Sequence, residues 1–127
     1  MKSVLIADSN NFYFNIMKKI YETNGYQVIR AKTSEECWRI VNDYGIGFFN
    51  LLVTDLAIES QLAGLFLALR LKKAGFRNPM YFASSGFNET FYYFISTGFL
   101  KLLGIQRLIP KSNFHQMNVN TLQRFFI

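Results

Sequence analysis

Five short apolar runs divide this chain, and each is separated from the next by a stretch of helical spacing. They are Val4 to Ala7, Gln27 to Ala31, Leu51 to Thr54, Met80 to Ala83 and Leu108 to Pro110. Strands that alternate with helices in this way are joined by crossovers, so the pattern predicts a parallel sheet covered by helices. Val4-Leu5-Ile6-Ala7 and Leu51-Leu52-Val53 are apolar without interruption. That is the pattern of strands buried on both faces, which places these two in the middle of the sheet.

The intervening segments carry their own start and stop signals. Asn10 to Thr23 reads as a helix, because Phe14, Met17, Lys18 and Tyr21 recur at three- and four-residue spacing and Asn24-Gly25 offers a left-handed stop. Ser34 can cap a second helix that runs through Tyr44, with Glu35 and Glu36 in the first turn, where the helix dipole favours acids. Leu62 to Ala74 gives a third helix closed by Gly75, Asn88 to about Leu103 a fourth with a break at Gly98, and Val119 to Phe126 a short fifth. There is no linker, repeat or low-complexity stretch, so residues 1–127 are expected to form a single domain.

Half of the residues are hydrophobic, enough for one well-buried core, yet no apolar run approaches the roughly 18 residues of a membrane span. The N-terminus enters its first strand without the layout of a signal peptide, and the expected compartment is the cytoplasm. Cys37 is the lone cysteine; beside Trp38 in a helical pattern it reads as a packing residue. The net charge of +6 raises the question of an anionic partner. The fourteen Lys and Arg are spread over nearly every segment, however, which indicates a solvated surface rather than a nucleic-acid or membrane footprint. Phe and Tyr are crowded between Phe87 and Phe99, beyond what one helix face buries, and an exposed aromatic patch there would mark a partner or dimer surface.

In an open parallel sheet, ligands bind beyond the carboxyl ends of the strands, where the strand order reverses. Strand one ends in Asp8, strand three in Asp55, strand four in Ser84 and strand five in Lys111. Two carboxylates, a hydroxyl and an ammonium could converge on one crevice. A carboxylate that attacks an anionic phosphoryl group needs a divalent cation and an ammonium to neutralise charge in the transition state. Magnesium suits oxygen ligands, usually one or two carboxylates with several waters. His115, the sole histidine, has no companion ligand and reads as a loop residue.

At these residues the sequence resembles the response-regulator receiver family over its whole length. The matching pieces are Val4-Leu5-Ile6-Ala7-Asp8, Leu51-Leu52-Val53-Thr54-Asp55, Met80-Tyr81-Phe82-Ala83-Ser84 and Ile109-Pro110-Lys111, in the family's order. The resemblance implies a flavodoxin-like α/β fold, a doubly wound five-stranded parallel sheet in the order 2-1-3-4-5 with about five helices. It implies that Asp55 is the phosphoacceptor, that Ser84 contacts the phosphoryl group and that Lys111 pairs with it. Asp8, Asp55 and Ala57 would hold weakly bound magnesium. The implied phosphodonor is a histidine kinase or a phosphotransfer protein. Signalling to a downstream protein, or to a second copy of the chain, would run through the segment from Phe87 to Leu103.

The chain departs from the family at four points. Ser9 stands where a second acid usually follows Asp8, and Ser112 stands where proline usually follows the lysine. Glu59 lies near the family's loop proline, and Leu108 replaces an aromatic often found three residues before the lysine. A phosphorylation-independent interaction module with the same fold is therefore the alternative. A flavin carrier of similar fold is not supported, since Ser9-Asn10-Asn11 lacks the small-residue run that cradles a phosphate.

Overall fold

The computed structural model describes residues 1–60, 62–85 and 98–127. Along the chain run β1 (Lys2–Ala7), α1 (Asn11–Thr23), β2 (Tyr26–Ala31), α2 (Ser34–Tyr44), β3 (Leu51–Thr54), α3 (Ala63–Lys73) and β4 (Met80–Ser84). They are followed by α4 (Phe99–Leu102), β5 (Ile105–Pro110), a 3-10 helix (Lys111–His115) and α5 (Val119–Phe126). The five strands form one sheet in the order β2-β1-β3-β4-β5, and every pairing is parallel. This is the doubly wound order that the resemblance implied.

Side chains alternate across a strand, and here both sets are apolar. Val4 and Ile6 of β1, with Leu51 and Val53 of β3, face one side, where Phe14, Met17, Ile20 and Tyr21 of α1 meet Leu122 and Phe126 of α5. Leu5 and Ala7, with Leu52, face the other side and pack against Cys37 and Val41 of α2 and Leu65, Ala68 and Leu71 of α3. Each fully buried aliphatic or aromatic side chain contributes roughly 1.5–3 kcal/mol, so the two layers together hold the central strands in register. Cys37 is completely buried, and burial pushes its thiol up to about 12, as expected of a packing residue.

Several boundaries differ from the sequence expectation, each for a local reason. β1 begins at Lys2, because the Ser3 N–H donates to Asn50 Oδ1 at 2.8 Å and the Asn50 N–H returns to the Ser3 carbonyl at 2.9 Å. Those bonds hold a polar start that apolarity alone hides. β5 begins at Ile105, where Gly104 at φ +85° ends the preceding turn and lets the strand resume at once. The cap of α2 is Thr33 rather than Ser34: Thr33 Oγ1 accepts from the Glu36 N–H at 3.0 Å, while the Ser34 N–H and hydroxyl both donate to Glu59. Lys111 does not end β5; it opens the 3-10 helix, in which His115 also lies. Of the fourth helix expected from Asn88 to about Leu103 with a break at Gly98, only the part from Gly98 onward is described: Gly98 has a left-handed φ of +74° and α4 begins after it, while residues 88–97 lie outside the described residues.

Candidate functional site

Strand register brings the carboxylates together. β1 and β3 pair with Ala7 opposite Thr54, so one step further Asp8 stands beside Asp55. The backbone keeps the ladder going for that step, since the Asp8 N–H donates to the Ala31 carbonyl at 2.9 Å and the Asp55 N–H to the Ala7 carbonyl at 3.0 Å. Ser84 lies opposite Pro110 at the end of β4, so Lys111 emerges from β5 one step beyond it. Neighbouring strands are about 4.8 Å apart, and the lysine must reach from β5 across β4 to β3 and β1. The small side chains of Ala83 and Ser84 at the end of β4 leave room for its stem.

The ammonium arrives between the two acids. Lys111 Nζ lies 2.5 Å from Asp8 Oδ2 and 2.8 Å from Asp55 Oδ2. The two oxygens therefore cannot be further apart than those distances laid end to end, well inside the roughly 8 Å that one hydrated cation could bridge. The contact with Asp55 is a hydrogen bond, and the shorter contact with Asp8 is an ion pair. The other oxygens are held by backbone: Asp8 Oδ1 accepts from the Asn10 N–H at 2.8 Å, and Asp55 Oδ1 from the Ala57 N–H at 3.1 Å. Asp8 and Lys111 are buried, while Asp55 keeps 15% of its side chain exposed and is the most accessible of the three.

Burial of this kind has an electrostatic cost. Desolvation pushes the Asp8 carboxyl above its ordinary range; the Lys111 charge and the Asn10 N–H pull it back, and the Asp55 charge pushes the same way as burial. Two carboxylates against one ammonium leave the cluster with one formal negative charge, and Ser9 adds none. Ser9 is exposed, and its hydroxyl donates to the Ile58 carbonyl at 3.4 Å.

Asp8, Asp55 and Lys111 thus meet in one cluster, and Ser84 is buried at the same sheet edge. Ala57 follows Asp55 closely and touches it through its N–H. Three further residues carry weight here without a sequence signal. The Tyr13 ring lies under the Lys111 ammonium at 4.6 Å from its centroid. The Tyr13 hydroxyl is hydrogen-bonded to His115 Nε2 at 3.0 Å. Gly64 at the start of α3 abuts the backbone of Asp55 and Leu56, and its N–H donates to the Leu56 carbonyl at 2.8 Å.

No protein-family model matches the sequence, and no curated protein does. Solved structures do match. A CheY-like response regulator receiver domain protein from Methanospirillum hungatei is 22% identical, with a TM-score of 0.75 over 98% of this chain and 89% of its own. The non-phosphorylated HemR receiver domain from Leptospira biflexa is 23% identical, with a TM-score of 0.70 over 97% and 94%. A signal receiver domain of a two-component histidine kinase from Clostridium thermocellum is 18% identical, with a TM-score of 0.74 over 98% and 94%. The chain therefore has the fold of response-regulator receiver domains over nearly its entire length.

Proposed function

We propose that this chain is a signalling receiver domain in which Asp55 accepts a phosphoryl group from a histidine kinase or a phosphotransfer protein. The observation that carries the reading is the Asp8–Lys111–Asp55 cluster, built at the carboxyl edge of a doubly wound sheet with Asp55 as its most exposed member. One oxygen of Asp55 forms a bond to phosphorus as the bond from phosphorus to the donor imidazole nitrogen breaks. The imidazole then takes a proton from solvent, leaving an acyl phosphate on Asp55. Lys111, already 2.8 Å from Asp55 Oδ2, offsets the charge that gathers on the phosphoryl oxygens. Ser84, at the same edge, would supply a hydroxyl to one of those oxygens.

The donor set fits magnesium. Asp8 Oδ2 has no donor in hydrogen-bond geometry, Asp55 offers a second carboxylate, and Ala57 has only its backbone carbonyl to offer. One or two carboxylates with water completing an octahedron is the usual provision for this ion. Asp8, Asp55 and Ala57 would hold it, and when bound it would supply the remaining neutralisation of the phosphoryl charge. With Ser9 in place of an acid and Lys111 already on both carboxylates, the affinity is low. The same two features favour a second reading, an interaction module that works without phosphorylation. In either case the segment from Phe87 to Leu103 is the proposed contact surface for a partner or a second copy; only its end, from Gly98 onward, lies within the described residues.

Intact-mass measurement after incubation with acetyl phosphate and magnesium separates the two readings. The wild-type chain should gain the mass of one phosphoryl group, and Asp55→Asn should gain none. No gain in the wild type at saturating magnesium would leave the interaction-module reading standing alone.

A further inference from the structure

We infer that Tyr13 is a positioning residue for Lys111: its ring forms the floor on which the ammonium rests, and the rings of Phe114 and His115 pack around it. The functional weight of this inference rests on Asp55 being the phosphoacceptor; the placement of the lysine does not. Lys111 has one long flexible stem and leads directly into the 3-10 helix, so nothing in its own backbone aims the ammonium at β1 and β3. Two carboxylates attract it, but attraction alone allows an ammonium to slide between oxygens or to turn toward water. A third surface is needed to fix its position.

Tyr13 supplies that surface. Its ring centroid lies 4.6 Å from Lys111 Nζ, within the range at which the negative face of an aromatic ring attracts a cation. Tyr13 belongs to the first turn of α1, whose cap Asn10 also donates its N–H to Asp8. The turn that orients one acid therefore orients the ring as well. The ring is itself fixed from the far side of the lysine's own loop. The Tyr13 hydroxyl bonds His115 Nε2 at 3.0 Å, the His115 ring stacks on Phe12 at 4.9 Å, and the Phe114 ring meets Tyr13 edge-on at 5.5 Å. The 3-10 helix that opens with Lys111 closes with His115, so both ends of one short element are tied to Tyr13. The ammonium is thus held from three directions, by Asp8, by Asp55 and by the ring.

The ring, not the hydroxyl, carries the direct contact, so Tyr13→Phe and Tyr13→Leu should behave differently. A buried, ion-paired ammonium exchanges its protons slowly enough to give a resolved NMR signal, and the wild-type Lys111 should show one in metal-free buffer at low temperature. Tyr13→Phe should keep that signal with exchange within about threefold of wild type, and Tyr13→Leu should lose it or exchange at least tenfold faster. Phosphorylation of Asp55 by acetyl phosphate should follow, slowed about tenfold in Tyr13→Leu and little changed in Tyr13→Phe. A signal that survives equally in both variants would overturn the inference. So would its loss in both, since that would assign the effect to the bond with His115, and so would its absence from the wild type. If the wild-type chain takes up no phosphoryl group, the phosphoacceptor reading fails, and the ammonium measurement still decides whether Tyr13 positions the lysine.

Discussion

Gly64→Ala is the sharpest structural test, because two familiar effects oppose each other there. Alanine favours a helix over glycine by about 1 kcal/mol in an interior position and by less in the first turn, where Gly64 lies. Against this, a Cβ at Gly64 would overlap the Asp55 carbonyl oxygen and stand 2.9 Å from Leu56 Cα and 3.0 Å from Asp55 C. Non-bonded carbons rest about 3.5–4.0 Å apart and the overlap with the Asp55 oxygen is deeper still, so the two backbones must part by roughly 1 Å. Overpacking of that kind costs about 1–3 kcal/mol. The hydrogen bond from the Gly64 N–H to the Leu56 carbonyl stretches with it, for up to about 1 kcal/mol more. The clash wins, and the expected net loss is about 2 kcal/mol. At a urea dependence of about 1.5 kcal/mol per molar, the unfolding midpoint should fall by roughly 1.3 M. Gly47→Ala, where an added Cβ meets nothing within 4 Å, is the control and should move it little. A Gly64→Ala midpoint equal to or above that of Gly47→Ala would refute the close approach of α3 to the loop that carries Asp55.

The other predictions concern the charged cluster. Lys111→Met removes the only ammonium that faces buried Asp8 and half-buried Asp55 among the described residues and should cost about 3 kcal/mol in urea unfolding at neutral pH; a loss below about 1 kcal/mol would contradict the ion-pair geometry. Ser9→Asp adds a formal charge beside Asp8 and should tighten magnesium binding about tenfold by titration calorimetry, and equal affinities would remove Ser9 as the cause of weak binding. Asp8 gives a pH signature: burial raises its carboxyl above the ordinary 3.8, so the folded chain keeps a proton that the unfolded chain has released. That contribution to stability is complete below the unfolded value and is lost as pH rises through the folded one. In metal-free buffer the wild type should therefore gain on Asp8→Asn in urea midpoint when pH is lowered from about 7 to about 4.5, and a constant difference would sink the assignment.

The sheet and the carboxylate pair were legible in the sequence for the same physical reason. Continuous apolar runs such as Val4-Leu5-Ile6-Ala7 and Leu51-Leu52-Val53 declare central strands, and central strands in parallel register bring the residues that follow them together. Nothing about Asp8 or Asp55 individually was needed. The ring beside Lys111 and its own partner left no such trace. Tyr13 and His115 stand 102 positions apart, and one sits on a helix whose apolar spacing says only which face is inward. Gly64 was equally silent, since a glycine required by a neighbouring carbonyl looks in sequence like any weak helix former. Thr33 and Ser34 offered two equivalent hydroxyls for one cap, and Glu59, arriving from the loop after β3, draws the serine away.

The same division separates the part of the site that the fold fixes from the part it leaves free. Asp8, Asp55 and Lys111 each follow a strand directly, so the fold alone brings them to one edge, and it is this fold that the chain shares with solved receiver domains at 18–23% identity. Ser9 belongs to the loop between β1 and α1, where register imposes nothing. Its hydroxyl donates to the Ile58 carbonyl and so ties that loop to the one that follows Asp55. An aspartate there would bring a second acceptor to that carbonyl, lose the bond and have to turn away from it, which leaves the cation as its natural partner. Ser9 therefore supplies a loop-to-loop contact and no charge to the cluster. With no charge from Ser9, Lys111 is the cation of the cluster among the described residues, and on the proposed phosphoacceptor reading the surface that holds its ammonium governs how Asp55 reacts.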